Sequence, residues 1–183
     1  MPTDNLTLGL MLGGGLVALS VLLWLRRRQR NTPAARLRRA CREMLTQVFV
    51  PDGEGGQIHI EYLLLCPRGI VIINVKDVSG NVFGSDAMRE WAVITGSRRH
   101  GIRNPQDGLF DRLAAVRRLV PTLPVHGYIA FTATANFSKG VPTHVVLLEQ
   151  LIDELTREAA TTNTAYDAYL PGWETLKQAA ITA

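Results

Sequence analysis

QIHIEYLLLCPRGIVIINVK, residues 57–76, reads as two β-strands joined by a tight turn at Pro67 and Arg68. Both halves are rich in Ile, Leu and Val, and Pro67 and Gly69 punctuate them. A two-residue loop pairs Cys66 with Gly69, and counting back along both strands brings Glu61 opposite Asn74. Side chains directly opposite share a face, and alternation brings Lys76 to the same face. An acid, an amide and a lysine therefore meet at the end of an otherwise apolar hairpin.

Two chemistries suit that trio. A carboxylate on one strand and an oxygen ligand on the next, here Glu61 and Asn74, are the kind of donors Mg²⁺ takes, and the ion activates water for attack on a phosphodiester. Lys76 would then orient that water or neutralise the charge of the transition state. The plainer alternative is an ordinary cross-strand ion pair between Glu61 and Lys76 on a solvated face.

Upstream, residues 6–25, LTLGLMLGGGLVALSVLLWL, carry no charge. About 20 helical residues at about 1.5 Å each cross a bilayer core of roughly 30 Å. The run is longer than a signal-peptide core, its basic residues follow it, and no small-residue cleavage site lies between Leu25 and the arginines. The expectation is one transmembrane helix. Arg26, Arg27, Arg28 and Arg30 come directly after it, whereas Asp4 is the only charge before it. Because Lys and Arg stay on the cytoplasmic side, the rest of the chain is expected in the cytoplasm, with these arginines against anionic lipids of the inner membrane.

The chain has 183 residues and a formal net charge of +4. Eight of its 20 basic residues fall in the juxtamembrane segment 26–42, leaving 12 against 15 of the 16 acidic residues in 43–183. The basicity thus belongs to the membrane-proximal segment, and a nucleic-acid-binding surface, if there is one, must be local. Cys41 and Cys66 form no metal-spaced pattern, and four histidines without an H-E-x-x-H give no support for zinc.

In chain order, residues 34–47 suggest a short helix with Leu37, Cys41, Met44 and Leu45 on one side, followed by a strand at 48–51 and a glycine-rich loop at 52–56. After the hairpin come short strands at 81–83 and 90–94, read as an antiparallel meander. The loop 96–105 carries Arg98, Arg99, His100 and Arg103, the one basic cluster beyond the juxtamembrane segment and a candidate for phosphate contacts. Asn104 before Pro105 suits a helix cap. Helical spacing over 105–120, strands at 125–132 and 145–148 and a helix over 149–160 follow. Tyr166, Tyr169, Trp173 and Leu176 mark a last helix that could dock. The fold class is mixed α/β, a central mixed sheet flanked by helices after one transmembrane helix. The divisions are 6–25 transmembrane, 26–42 juxtamembrane, 43–160 folded domain and 161–183 C-terminal tail.

The chain also resembles a known family. Ile60-Glu61-Tyr62, Pro67-Arg68-Gly69-Ile70, Ile73-Asn74-Val75-Lys76, Gly80, Trp91 and Asn104-Pro105 together resemble the nuclease-related domain, or NERD, a branch of the PD-(D/E)xK nuclease-like superfamily. The resemblance implies a restriction-endonuclease-like fold and Mg²⁺-dependent cleavage of nucleic acid, with Glu61, Asn74 and Lys76 at the catalytic positions and Glu61 and Asn74 as metal ligands. Asn74 stands where the family pattern has a second acid. Gly108 stands where it has Gln, and Glu43 is the only acid near its opening helix. These departures predict a degenerate metal site in a membrane-anchored domain that acts on or binds nucleic acid. The alternative is a non-catalytic membrane-tethered scaffold.

Overall fold

The computed structural model describes residues 32–161 and 166–182. The transmembrane reading of 6–25 and Arg26, Arg27, Arg28 and Arg30 lie outside the described residues. Among the described residues no helix is long and apolar enough to cross a membrane.

The elements run α1 (Pro33–Arg39), β1 (Glu43–Pro51), β2 (Gln57–Cys66), β3 (Gly69–Lys76), β4 (Gly80–Phe83), β5 (Glu90–Thr95), β6 (Arg98–Arg103), α2 (Pro105–Leu119), β7 (Val125–Phe131), β8 (Ala135–Asn136), β9 (Val145–Leu147), α3 (Leu148–Thr161), α4 (Tyr166–Ala179) and β10 (Ile181–Thr182). They form a mixed α/β fold with two mixed sheets rather than the single central sheet expected. One has six strands in the order β10-β1-β2-β3-β7-β9, the other four in the order β6-β5-β4-β8. In the larger sheet β3 and β9 both run parallel to β7, while the remaining pairs are antiparallel.

The hairpin has the expected register, with Cys66 opposite Gly69 and Tyr62 opposite Ile73. Its near-continuous apolar run follows from burial on both faces. Leu63, Leu65, Ile70 and Ile72 join a core with Leu109, Leu113 and Val116 of α2 and Trp173 and Leu176 of α4. Leu64, Val71 and Ile73 alternate to the opposite face and are also fully buried. Tyr128 of β7 locates α3 there: its hydroxyl accepts from Arg68, which also donates to Glu154 and Glu158 of α3. Gly127 faces the other way. A Cβ there would lie 2.9 Å from Leu109 Cδ1, so its bare backbone lets α2 close on β7.

Two local expectations are corrected. The helix expected over 34–47 stops at Arg39, and Met44 and Leu45 belong to β1, paired with Leu64 and Leu63. Leu37, Cys41, Met44 and Leu45 fit helical spacing, yet Met44, Val48 and Val50 also fit strand alternation, and pairing with β2 decides between them. The basic loop expected over 96–105 is mostly a strand, β6, paired residue for residue with β5 from Thr95↔Arg98 to Glu90↔Arg103. The arginine-rich RRHGIR has little strand propensity of its own. The ladder to β5 and the burial of Trp91 and Val93 impose it.

Candidate functional site

Both ladders that flank Glu61 break at that residue. The β1–β2 pairing passes from Thr46↔Tyr62 to Val48↔Ile60, skipping Gln47, whose φ of 52° is left-handed. The β2–β3 pairing ends one residue earlier, at Tyr62↔Ile73, while β3 continues beside β7 as far as Lys76↔Phe131. The Glu61 side chain fills the resulting gap. Its Oε2 accepts the Val75 N–H at 2.8 Å, standing in for a ladder carbonyl, and accepts from Asn74 Nδ2 at 3.2 Å. An ionised carboxylate only accepts, so the amide nitrogen, not its carbonyl oxygen, must face Glu61. The cross-strand ion pair with Lys76 does not form; Glu61 pairs with an amide and a backbone donor instead.

Asn74 and Lys76 line a cleft of about 320 Å³ whose other wall is the start of α2, with Asn104, Asp107, Gly108, Asp111 and Arg112. Asn104 is the helix cap that its place before Pro105 suggests: its Oδ1 accepts the Gln106 N–H at 2.9 Å, and its Nδ2 donates to Met88 O at 2.8 Å. Asp86 completes the anchor. Its carboxylate accepts from Gln106 Nε2 at 2.7 Å and from the Thr143 N–H at 2.9 Å, and Thr143 foremost, then Gln106, hold it below the usual carboxylate range.

Arg112 crosses from helix to hairpin. Its Nε donates to His59 O at 2.6 Å and its Nη1 to Gly108 O. Burial draws the guanidinium below its ordinary pKa, while Asp111 and Glu61 push it back up. An arginine remains charged at neutral pH through such shifts. Sequence reasoning missed Asp107, Asp111 and Arg112 because it followed the apolar stripe of α2. The signal that could have found them is the polar stripe on the same helix, Asn104, Gly108 and Arg112 at four-residue intervals with Asp107 and Asp111 beside it.

The three arginines singled out beyond the hairpin do not converge. Arg103 lines the cleft and a second one of about 780 Å³ with Arg89 and Glu90. Arg99 shares its face of β6, whereas Arg98 alternates to the other. Arg103 and Asp107 approach to 3.8 Å on an exposed surface. Glu43 begins β1 opposite Leu65, four residues of β2 away from Glu61, or about 13 Å along the strand. Its Oε2 is taken by Trp173 Nε1 at 2.8 Å and Lys177 Nζ at 3.2 Å.

Mg²⁺ takes near-octahedral oxygen donors, usually with one or two carboxylates, and needs their charge. The residues present offer one carboxylate at the hairpin, Glu61, whose Oε2 already accepts two N–H donors, beside an amide that brings no charge. Among the described residues no three Asp, Glu, His or Cys side chains gather to hold an ion. This donor set does not fit a firmly held divalent cation.

Residues 26–132 match the model of one protein family, described as the nuclease-related domain. No curated protein and no solved structure gives a significant match to the chain.

Proposed function

The chain belongs to the nuclease-related domain family, and from that premise we propose that it is a membrane-tethered domain of nuclease ancestry that binds nucleic acid through its phosphates and has lost most of its metal-dependent cleavage. Residues 6–25 would cross the membrane, 26–42 would lie along anionic headgroups, 43–160 would be the nuclease-related domain and 161–183 its C-terminal tail, all beyond the span on the cytoplasmic side.

The observation that carries this reading is the Asn74–Glu61 hydrogen bond at 3.2 Å. Two acids at those positions would repel and draw in a cation. An acid beside an amide is satisfied without one. What the cleft retains is hydrogen-bonding: Lys76, Arg112 and Arg103 along one groove, with Asp107 and Asp111 offsetting much of their charge, offer donors suited to phosphate oxygens.

The test uses the full-length chain and a short fluorescent DNA or RNA duplex. Saturable binding that persists in EDTA and weakens with salt is expected, together with little Mg²⁺-stimulated cleavage of plasmid DNA. Brisk Mg²⁺-dependent cleavage abolished by Lys76→Ala would overturn the loss of activity, and failure to bind either duplex would overturn the nucleic-acid reading.

A further inference from the structure

Lys76 is half-buried in the cleft wall, and among the described residues its ammonium has no hydrogen-bond or ion-pair partner. Its three N–H donors are therefore open to a ligand in the cleft. Glu61, the acid that alternation brings nearest, is committed to Asn74 and Val75.

Across the cleft, Arg112 is fixed where Lys76 is free. Its Nε and one Nη1 hydrogen go to two backbone carbonyls, His59 O on β2 and Gly108 O on α2. Neither carbonyl neutralises the guanidinium, and of its five N–H groups three remain uncommitted, one on Nη1 and two on Nη2. Asp111 lines the same cleft and offsets one positive charge, and Arg103 and Asp107 largely offset each other. The balance is close to neutral, so the site has directional donors rather than a strong net field.

We infer that Arg112 and Lys76 form a metal-free receptor for a single phosphoryl group, the rigid guanidinium offering a planar pair of donors to two of its oxygens and the mobile ammonium closing on a third. The inference deepens the phosphate-binding reading of the cleft and rests on it, and it adds which two side chains hold the group and that one phosphoryl unit is enough to fill the site. A guanidinium held by backbone carbonyls occupies the electrostatic role that a cation between two acids would fill, and it does so without exchange. Because one phosphoryl group is engaged in a nearly neutral cleft, recognition is set by hydrogen-bond geometry more than by counterion release.

Two probes separate this inference from the reading beneath it. Inorganic pyrophosphate, titrated into the full-length chain in EDTA, is expected to raise the melting temperature. Lys76→Met is expected to fold as well as wild type, because that ammonium has no partner to lose, and to abolish the rise. Arg112→Met is expected to weaken pyrophosphate binding roughly tenfold or more, as for loss of a charge-assisted pair. Since its two carbonyls lose their donor, its own melting temperature is measured beside Arg112→Lys, which keeps the charge but not the planar fork and should recover only part of the binding. A pyrophosphate response that survives Lys76→Met, or no response in wild type, overturns the receptor. A wild-type chain that responds to pyrophosphate but ignores duplex retains the receptor and loses the nucleic-acid reading.

Discussion

Asn74 concentrates the chemical question in one functional group. Replacing its amide with a carboxylate, Asn74→Asp, removes the donor that Glu61 Oε2 accepts at 3.2 Å and sets two acids side by side. Without divalent cation the variant should lose about 1–2 kcal/mol, or roughly 3–6 °C in melting temperature for a chain of this size. Mg²⁺ should restore much of that loss, whereas the wild-type melting temperature should be indifferent to EDTA. Calorimetric melts with and without Mg²⁺ decide it, and a variant as indifferent to Mg²⁺ as wild type would sink the account of Asn74 as the residue that replaced an ion. That Glu61, Asn74 and Lys76 come together was legible in the sequence, because strand alternation and a two-residue turn fix which side chains share a face. The place of Arg112 beside them was not, because it depends on where α2 lies against β2, a long-range fact that helical spacing does not contain.

The elements that hold the site in place make separate predictions. At the hairpin turn Gly69 has φ of 116°, and a Cβ there would lie 2.4 Å from the backbone oxygen of Pro124. Gly69→Ala must therefore strain β3 and push back the start of β7, costing about 2 kcal/mol or more in chemical denaturation. A cost below a few tenths would show that the turn can relax. The last helix makes a second case. Trp173 is fully buried, and its Nε1 donates to Glu43 Oε2 at 2.8 Å, so Trp173→Ala should cost about 3–5 kcal/mol.

Glu43 adds a pH dependence to the docking of α4. The Trp173 hydrogen bond foremost, then Lys177, holds its folded-state pKa below the ordinary value. A lowered acid contributes its stability above the unfolded-state value, near 4.3 for glutamate, and loses it as pH falls through the lowered folded-state value. Glu43→Gln should therefore separate from wild type in melts above about pH 5 and converge with it in strong acid. Parallel curves down to the lowest pH would refute the linkage. The aromatic residues of this helix were readable as a docking face, but their partner was not, since Glu43 lies 130 residues away from Trp173 in a segment whose apolar spacing also suits a helix.

At the scale of the whole chain, the division into two sheets was the least legible feature. The β4–β5–β6 meander is a sheet of its own, pairing with no strand of the larger one, and Ala135 and Asn136 add a parallel fourth strand beside Gly80 and Asn81, with a side-chain bond between Asn136 Nδ2 and Asn81 Oδ1 at 2.8 Å. Strand periodicity marks the meander but not which sheet it joins, and a two-residue strand has no periodicity to detect.

Charge is distributed just as unevenly, and here the sequence is explicit. Residues 26–42 hold eight arginines and no acid, whereas 43–183 carries more acid than base. A polybasic segment alone binds anionic bilayers reversibly and releases in salt, while an apolar run of about 20 residues does not. The full chain should therefore stay with the membrane fraction through high salt and alkaline carbonate and leave it only in detergent. A chain lacking residues 2–25 should release with salt alone. In sealed right-side-out vesicles, protease added outside should leave the domain after Arg42 intact, and opening the vesicles should expose it. Digestion from outside would reverse the orientation and remove the cleft from cytoplasmic nucleic acid, whereas salt release of the full chain would show that the arginines, not the apolar run, hold the domain at the membrane.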